Sequence, residues 1–188
     1  MNNDSTRQWA VLAVVGALYA AVLWPASPAG SADRVDPLSP PLRSIELALR
    51  DARPAEALQL AAAAAQQYPR DPFLKYLEAT ALQQLSRWED EAKAWEAYID
   101  LSDTPGAACP AVAVAHEQRG DDRRALEWWR RCVAIEPEEP ERLVDLADAL
   151  ARRGLTREAR DRYDQARVLD PGNPGLTHAI AGLGADEP

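Results

Sequence analysis

Between Leu38 and Asn173 the apolar residues return every three or four positions, the spacing that gathers one stripe along an α-helix. Cys109, Val112, Ala113 and His116 mark such a stripe, and so do Leu143, Leu146, Ala147 and Leu150. Each stripe is followed by a short break and a second stripe, most plainly in "ERLVDLADALARRGLTREARDRYDQARVLDP". The breaks between these pairs carry prolines at a fixed interval. "YPRDP" at Tyr68–Pro72, "IEPEEP" at Ile135–Pro140 and "LDPGNP" at Leu169–Pro174 put Pro69, Pro137 and Pro171 at spacings of 68 and 34 residues. Asp103, in "IDLSDTP", stands midway through the longer gap as a degenerate copy of the same turn. The period is 34 residues, and the pattern predicts pairs of helices, each pair closed by a proline that cannot continue the second helix. An ordinary helical bundle would not need such a period.

These residues resemble the tetratricopeptide repeat. In that family each unit is a helix–turn–helix with small residues where the helices cross, a glycine in the turn and a proline at the end. The unit 140–173 matches through Leu143, Leu146, Ala147, Leu150, Gly154, Ala159, Tyr163, Ala166 and Pro171, and 106–139 matches through Val112, Ala113, Gly120, Ala125, Trp129 and Pro137. The unit 72–105 has Ala79, Leu82, Trp88, Trp95 and Tyr98, with Ser86 at its turn and Glu91 where a small residue is usual. The divergent unit 38–71 has a good second helix in "PAEALQLAAAAAQQYP" and a poorly matched first one in "PPLRSIELALR". The resemblance implies an all-α solenoid of three to four repeats. Residues 174–188, through "GLTHAIAGL", would supply a short capping helix and tail, which a solenoid needs to shield its last apolar face.

Ahead of the repeats the pattern changes. Residues 1–8 are polar, and "WAVLAVVGALYAAVLW", Trp9 to Trp24, contains no charge. Sixteen helical residues span about 24 Å, slightly short of the ~30 Å hydrocarbon core of a bilayer. Tryptophans at both ends suit the two membrane interfaces, which makes residues 9–24 a single-pass anchor. Cleavage near Ala32, after "GSA", is the alternative, and would release a soluble secreted protein. The Pro-, Ser- and Gly-rich stretch 25–41 reads as an extended tether. Arg7 and the N-terminal amine slightly outweigh Asp4, a bias toward a cytoplasmic N-terminus and repeats outside the cytosol.

Composition narrows the function. The 188 residues are 47% apolar, with a single Phe, a single Met and six Trp, so the core is alanine closed around a few large rings. A net charge of −9 argues against nucleic-acid binding, which needs a basic surface. The run Arg123, Arg124, Arg130 and Arg131 is interleaved with Asp121, Asp122 and Glu127, as expected of a solvated helix face. His116 and His178 have no nucleophile or carboxylate arranged with them, and no glycine-rich phosphate loop follows a strand. The expectation is a non-catalytic protein with no cofactor, no metal and no small-molecule substrate.

The two cysteines, Cys109 and Cys132, lie eleven residues before and twelve after Gly120. In an antiparallel pair turning there, they stand within about one 1.5 Å helical rise of each other. Small neighbours permit the ~5.5 Å Cα separation of a disulfide. Two buried free thiols are the alternative, and the one a cytosolic location predicts. A redox centre is disfavoured by the lack of Cys-x-x-Cys. Metal binding is disfavoured because His116 lies about 10 Å along the helix from Cys109.

The resemblance implies a concave face lined by the first helix of each unit. The residues carried onto it are Phe73, Tyr76, Thr80, Gln83 and Gln84, then Val114, Glu117 and Gln118, then Glu141, Val144, Asp148 and Arg152. Rings beside amides suit an extended or helical peptide from another protein. Local packing against the preceding unit is the equal alternative for Phe73 and Tyr76. The lysines and asparagines of the family's chaperone-tail clamp are replaced here by Tyr76 and Thr80. The function expected is an adaptor of the bacterial envelope, held in the inner membrane with its repeats in the periplasm and supporting assembly of a membrane complex. A structural subunit of such a complex is the alternative.

Overall fold

A computed structural model describes residues 40–183, and the expectations for the anchor with Trp9 and Trp24, for residues 25–39 of the tether and for the last five residues lie outside them. The described residues form helices in antiparallel pairs. The first pair is α1 (Pro40–Arg50) with α2 (Pro54–Ala65), and the second is α3 (Pro72–Gln84) with α4 (Trp88–Leu101). After a 3-10 turn, Pro105–Ala108, come α5 (Cys109–Gln118) with α6 (Asp122–Ile135) and α7 (Pro140–Ala151) with α8 (Thr156–Leu169), before a last helix, α9 (Pro174–Leu183). Each helix packs on the next along the chain, which is how a solenoid is built. Proline occupies the first turn of α2, α3, α5 and α7, where its missing N–H is no loss.

Within each pair the turn repeats. Ala52, Ser86, Gly120 and Gly154 all adopt positive φ, 55°, 54°, 75° and 72°, and they are spaced by the 34-residue period. The amide after each one, at Arg53, Arg87, Asp121 and Leu155, donates five residues back to the carbonyls of Ala48, Leu82, His116 and Leu150, at 2.8 to 3.0 Å. This is the Schellman end of a helix. A Cβ at Gly120 or Gly154 would meet nothing within 4 Å, so conformation alone selects glycine there. Ala52 and Ser86 bear the left-handed strain that a side chain adds, on the order of 1–2 kcal/mol. After the entropy glycine costs the folded state, Ala52→Gly and Ser86→Gly should each raise the unfolding free energy by about 0.5–1 kcal/mol. Gly120→Ala should lower it by about 1 kcal/mol. Urea unfolding of the three variants measures both signs.

The buried positions keep the same period. Ile45, Ala79, Ala113 and Ala147 are buried on the first helices, and Ala61, Trp95, Trp129 and Tyr163 on the second. The first helix of unit 38–71, poorly matched by its sequence, nevertheless buries Leu42, Ile45 and Ala48 against α2 and α3. Helix α3 keeps the buried register of α7 at Ala79, Ala81 and Leu82, the counterparts of Ala147, Ala149 and Leu150, and departs from it in its first two turns. It buries Leu74 and Leu77 toward that first core, whereas α7 buries Leu143 and Leu146, the counterparts of Lys75 and Glu78. Lys75 and Glu78 instead pair with each other at 2.7 Å on the flank facing α4. Leu47 is 43% exposed, with no described helix pair before it, while its counterparts Ala81, Ala115 and Ala149 are buried. At the other end Leu176 of α9 is buried, yet Val168 stays 79% exposed.

Cys109 and Cys132 face each other across α5 and α6 at disulfide-bonding distance, their Cα atoms 5.5 Å apart. Both are fully buried. The level placement expected from the Gly120 turn accounts for this.

Candidate binding groove

Side chains at their C-terminal ends join α1 to α3 and α5 to α7. Gln84 Nε2 donates to the carbonyl of Leu49 at 3.4 Å, so α3 reaches back to α1. Arg152 donates to Glu117 Oε1 at 2.7 Å, so α7 reaches back to α5 in the same way. Both contacts span 35 residues, one more than the repeat. They place Gln84, Glu117 and Arg152, three of the residues carried onto the concave face, along one edge of neighbouring first helices.

None of the twelve expected groove residues is buried. Gln84, Gln118, Glu141, Asp148 and Arg152 are exposed, and the other seven are half-buried. Phe73 and Tyr76 do two things at once, because they also pack on the first core. Their rings stack at 5.7 Å and 5°, and Tyr76 meets Trp95 edge-on at 5.5 Å. Burial pushes the Tyr76 hydroxyl pKa up. Thr80 turns its hydroxyl to the carbonyl of Tyr76, 2.9 Å away.

Further along, three groove carboxylates and arginines are already engaged. Glu117 Oε1 also accepts from Trp129 Nε1 at 2.9 Å, and Asp148 accepts from the Tyr163 hydroxyl. These bonds tie first helix to second within each unit through the large aromatic residue of the second helix. Beside Asp148, burial pushes Asp145 up to about 6, with Arg142 at 3.3 Å pulling it back down. Glu139 is raised chiefly by its hydrogen bond with Glu141, which is lowered by the same contact. The residues carried onto the concave face did not include Asp145, Arg142 or Trp95, the last of which the resemblance had placed on the second helix of unit 72–105.

A cleft of about 310 Å³ opens elsewhere, between α2, α3 and α4, lined by Leu58, Ala62, Lys75, Glu78, Leu82, Arg87, Asp90, Lys93 and Ala94. None of the expected groove residues lines it. His116 is buried with neither ring nitrogen hydrogen-bonded, Nε2 lying 3.7 Å from Glu96. His178 is exposed on α9 with Nδ1 3.0 Å from the Pro174 carbonyl. Among the described residues no three His, Cys, Asp or Glu side chains gather as metal ligands, and no helix is long and apolar enough to cross a membrane.

No family model and no curated protein matches the chain. Solved structures match its fold. Residues 41 to the end of MamA from Desulfovibrio magneticus RS-1 superpose with a TM-score of 0.63 at 18% identity, covering 77% of this chain and 82% of that one. YrrB, described as a TPR protein with an unusual peptide-binding site, gives 0.61 at 15% identity over 80% and 77%. TTC0263, a TPR protein of Thermus thermophilus, gives 0.56 at 16% over 75% and 78%. The fold is that of tetratricopeptide-repeat proteins.

Proposed function

We propose that the chain is a non-catalytic scaffold whose groove, formed by α1, α3, α5 and α7, holds a peptide segment of another protein. The observation that carries this is the alignment of α1 with α3 and of α5 with α7 by the Gln84–Leu49 and Arg152–Glu117 contacts, with Phe73, Tyr76, Thr80 and Val114 half-buried on the same first helices. Such a surface offers rings and aliphatic groups for apolar side chains and free amides for a peptide backbone. YrrB, with the same fold, is described as binding a peptide, which supports the reading.

The chain is anchored through residues 9–24 in the bacterial inner membrane, with the tether and repeats in the periplasm, where it supports assembly of an envelope complex. The uncharged run from Trp9 to Trp24 supports the anchor. The buried Cys109–Cys132 pair supports an oxidising compartment.

Affinity capture from detergent-solubilised membranes tests the groove. Thr80→Arg and Val114→Arg each put a charged chain on it, and each should reduce recovery of the partner at least tenfold, a loss of about 1.4 kcal/mol or more. Arg131→Glu, on the exposed face of α6, should leave recovery unchanged. Equal recovery from all three would sink the groove. N-terminal sequencing of the captured chain separates an intact anchor from cleavage near Ala32.

A further inference from the structure

Glu91 occupies a place its counterparts fill with alanine. Ala57, Glu91, Ala125 and Ala159 follow the 34-residue period, and all four are 0–1% exposed. A carboxyl is thus sealed into a helix crossing where a methyl group suffices elsewhere. Its Oε1 accepts from Trp95 Nε1 at 3.2 Å, while Oε2 is buried with no hydrogen-bond partner. Burial pushes its pKa up to about 7, with the Trp95 bond acting the other way.

Trp95 is also the inner member of a row of rings that reaches the groove. It meets Tyr76 edge-on at 5.5 Å, and Tyr76 stacks on Phe73 at 5.7 Å. On its other side Trp95 meets Tyr98 edge-on at 5.9 Å. The buried carboxyl is therefore two contacts from Tyr76 and three from Phe73, both half-buried rings on the groove.

We propose that Glu91 is a proton-operated latch on the aromatic part of the groove. Protonated, it leaves Trp95, Tyr76 and Phe73 stacked as described; ionised, it loosens the stack and weakens the hold on an apolar side chain there. The inference rests on the groove reading above. Its physical basis is the price of a buried charge. A neutral carboxyl with one unmet oxygen is tolerable, but a carboxylate facing a single indole N–H draws in water or displaces the indole that seals it. Either movement breaks the edge-on contact with Tyr76. By linkage, an occupant that needs the stacked rings takes up a proton as it binds.

The groups around the site do not supply a counter-charge. Helix α4 packs on α3, α5 and the 3-10 turn. On α3, Lys75 and Glu78 pair with each other, and Tyr76 belongs to the ring row. On α5, His116 faces Glu96, and Glu117 is held by Trp129 and Arg152. The 3-10 turn, Pro105–Ala108, has no titratable side chain. On α4 itself Glu89 is shared by Lys93 and by Arg119, which follows α5, and Arg87, just before α4, pairs with Asp90.

Phe73 is the one phenylalanine of the chain, so growth with 4-fluorophenylalanine places a single ¹⁹F label on a groove ring of the row. In the full chain, in detergent, its resonance should move in one step with a midpoint near pH 7 between pH 5.5 and 8.5. The Glu91→Gln variant, which keeps an acceptor for Trp95, should hold the low-pH position throughout, with circular dichroism reporting the same helix content. A resonance that does not move in the parent chain would overturn the latch. So would one that moves equally far in Glu91→Gln, since His116 is intact in that variant. No partner is needed, so failure of the groove in capture and failure of the latch here are separate results.

Discussion

Reduction of the Cys109–Cys132 pair should lower the unfolding free energy by about 3 kcal/mol, the chain-entropy value for a closed loop of this length. The bond ties the open end of the α5–α6 hairpin, opposite the Gly120 turn, so it restricts the unfolded chain where the hairpin would otherwise separate. Urea unfolding with and without dithiothreitol measures the difference, and the reduced protein should also show a steeper denaturant slope because its unfolded state is more extended. Both sulfurs are fully buried, so native protein should be reduced slowly, at the rate at which the hairpin opens. Cys109→Ala with Cys132→Ala should reproduce most of the loss, since the neighbouring units carry alanine or tyrosine at the counterpart of Cys132, in Ala166 and Tyr98. Identical transitions with and without reductant would show that the bond contributes nothing. Alkylation of both cysteines in unreduced protein taken from cells would remove the staple and the argument for an oxidising compartment together.

The second large effect is expected from Glu91 in melting rather than in binding. Its folded pKa, about 7, lies above that of the unfolded chain, so between about pH 4.5 and 7 the folded state holds a proton that the unfolded state has released. Stability contributed by the protonated form is therefore lost as pH rises through that window and is gone by about pH 8. The magnitude is on the order of 3 kcal/mol. Asp145, raised to about 6 by burial, slopes in the same direction at lower pH, so the parent curve alone does not isolate Glu91. The difference between parent and Glu91→Gln does. The two should be nearly equal at pH 5, and Gln should be more stable at pH 8 by most of that amount. Parallel curves would show that the carboxyl is not buried in the folded protein.

The period, the helix pairs and the level cysteines were legible because each rests on one local rule repeated. Proline ends a helix, glycine turns it, and apolar residues return with the helical pitch. Ala52 was hidden for the opposite reason. Alanine carries no preference for a left-handed turn, and the neighbouring units impose the conformation that Gly120 and Gly154 adopt freely. The cover at the start of α3 was hidden too, because Leu74 and Leu77 lie one residue before Lys75 and Glu78, and only the tertiary contact with α1 and α2 decides which pair is covered. Phe73 and Tyr76 satisfy both of the readings open to them, packing on the first core while keeping part of each ring accessible. The partners of Glu117 and Asp148 depend on Trp129 and Tyr163 reaching across from the second helix, which no spacing along one helix reveals.

The unequal packing of the units has a mechanical consequence. From α5 onward the stack is bolted by a covalent bond and by Glu117, which Trp129 and Arg152 grip from two helices. Around α3 and α4 it holds a cleft, an ion pair and a buried acid where other units have aliphatic contacts. In a linear array, where each unit touches only its neighbours, deformation concentrates at the weakest junction. Under load the α5–α6 pair, closed at one end by the Gly120 turn and at the other by the Cys109–Cys132 bond, would move as one piece while its neighbours flex against it.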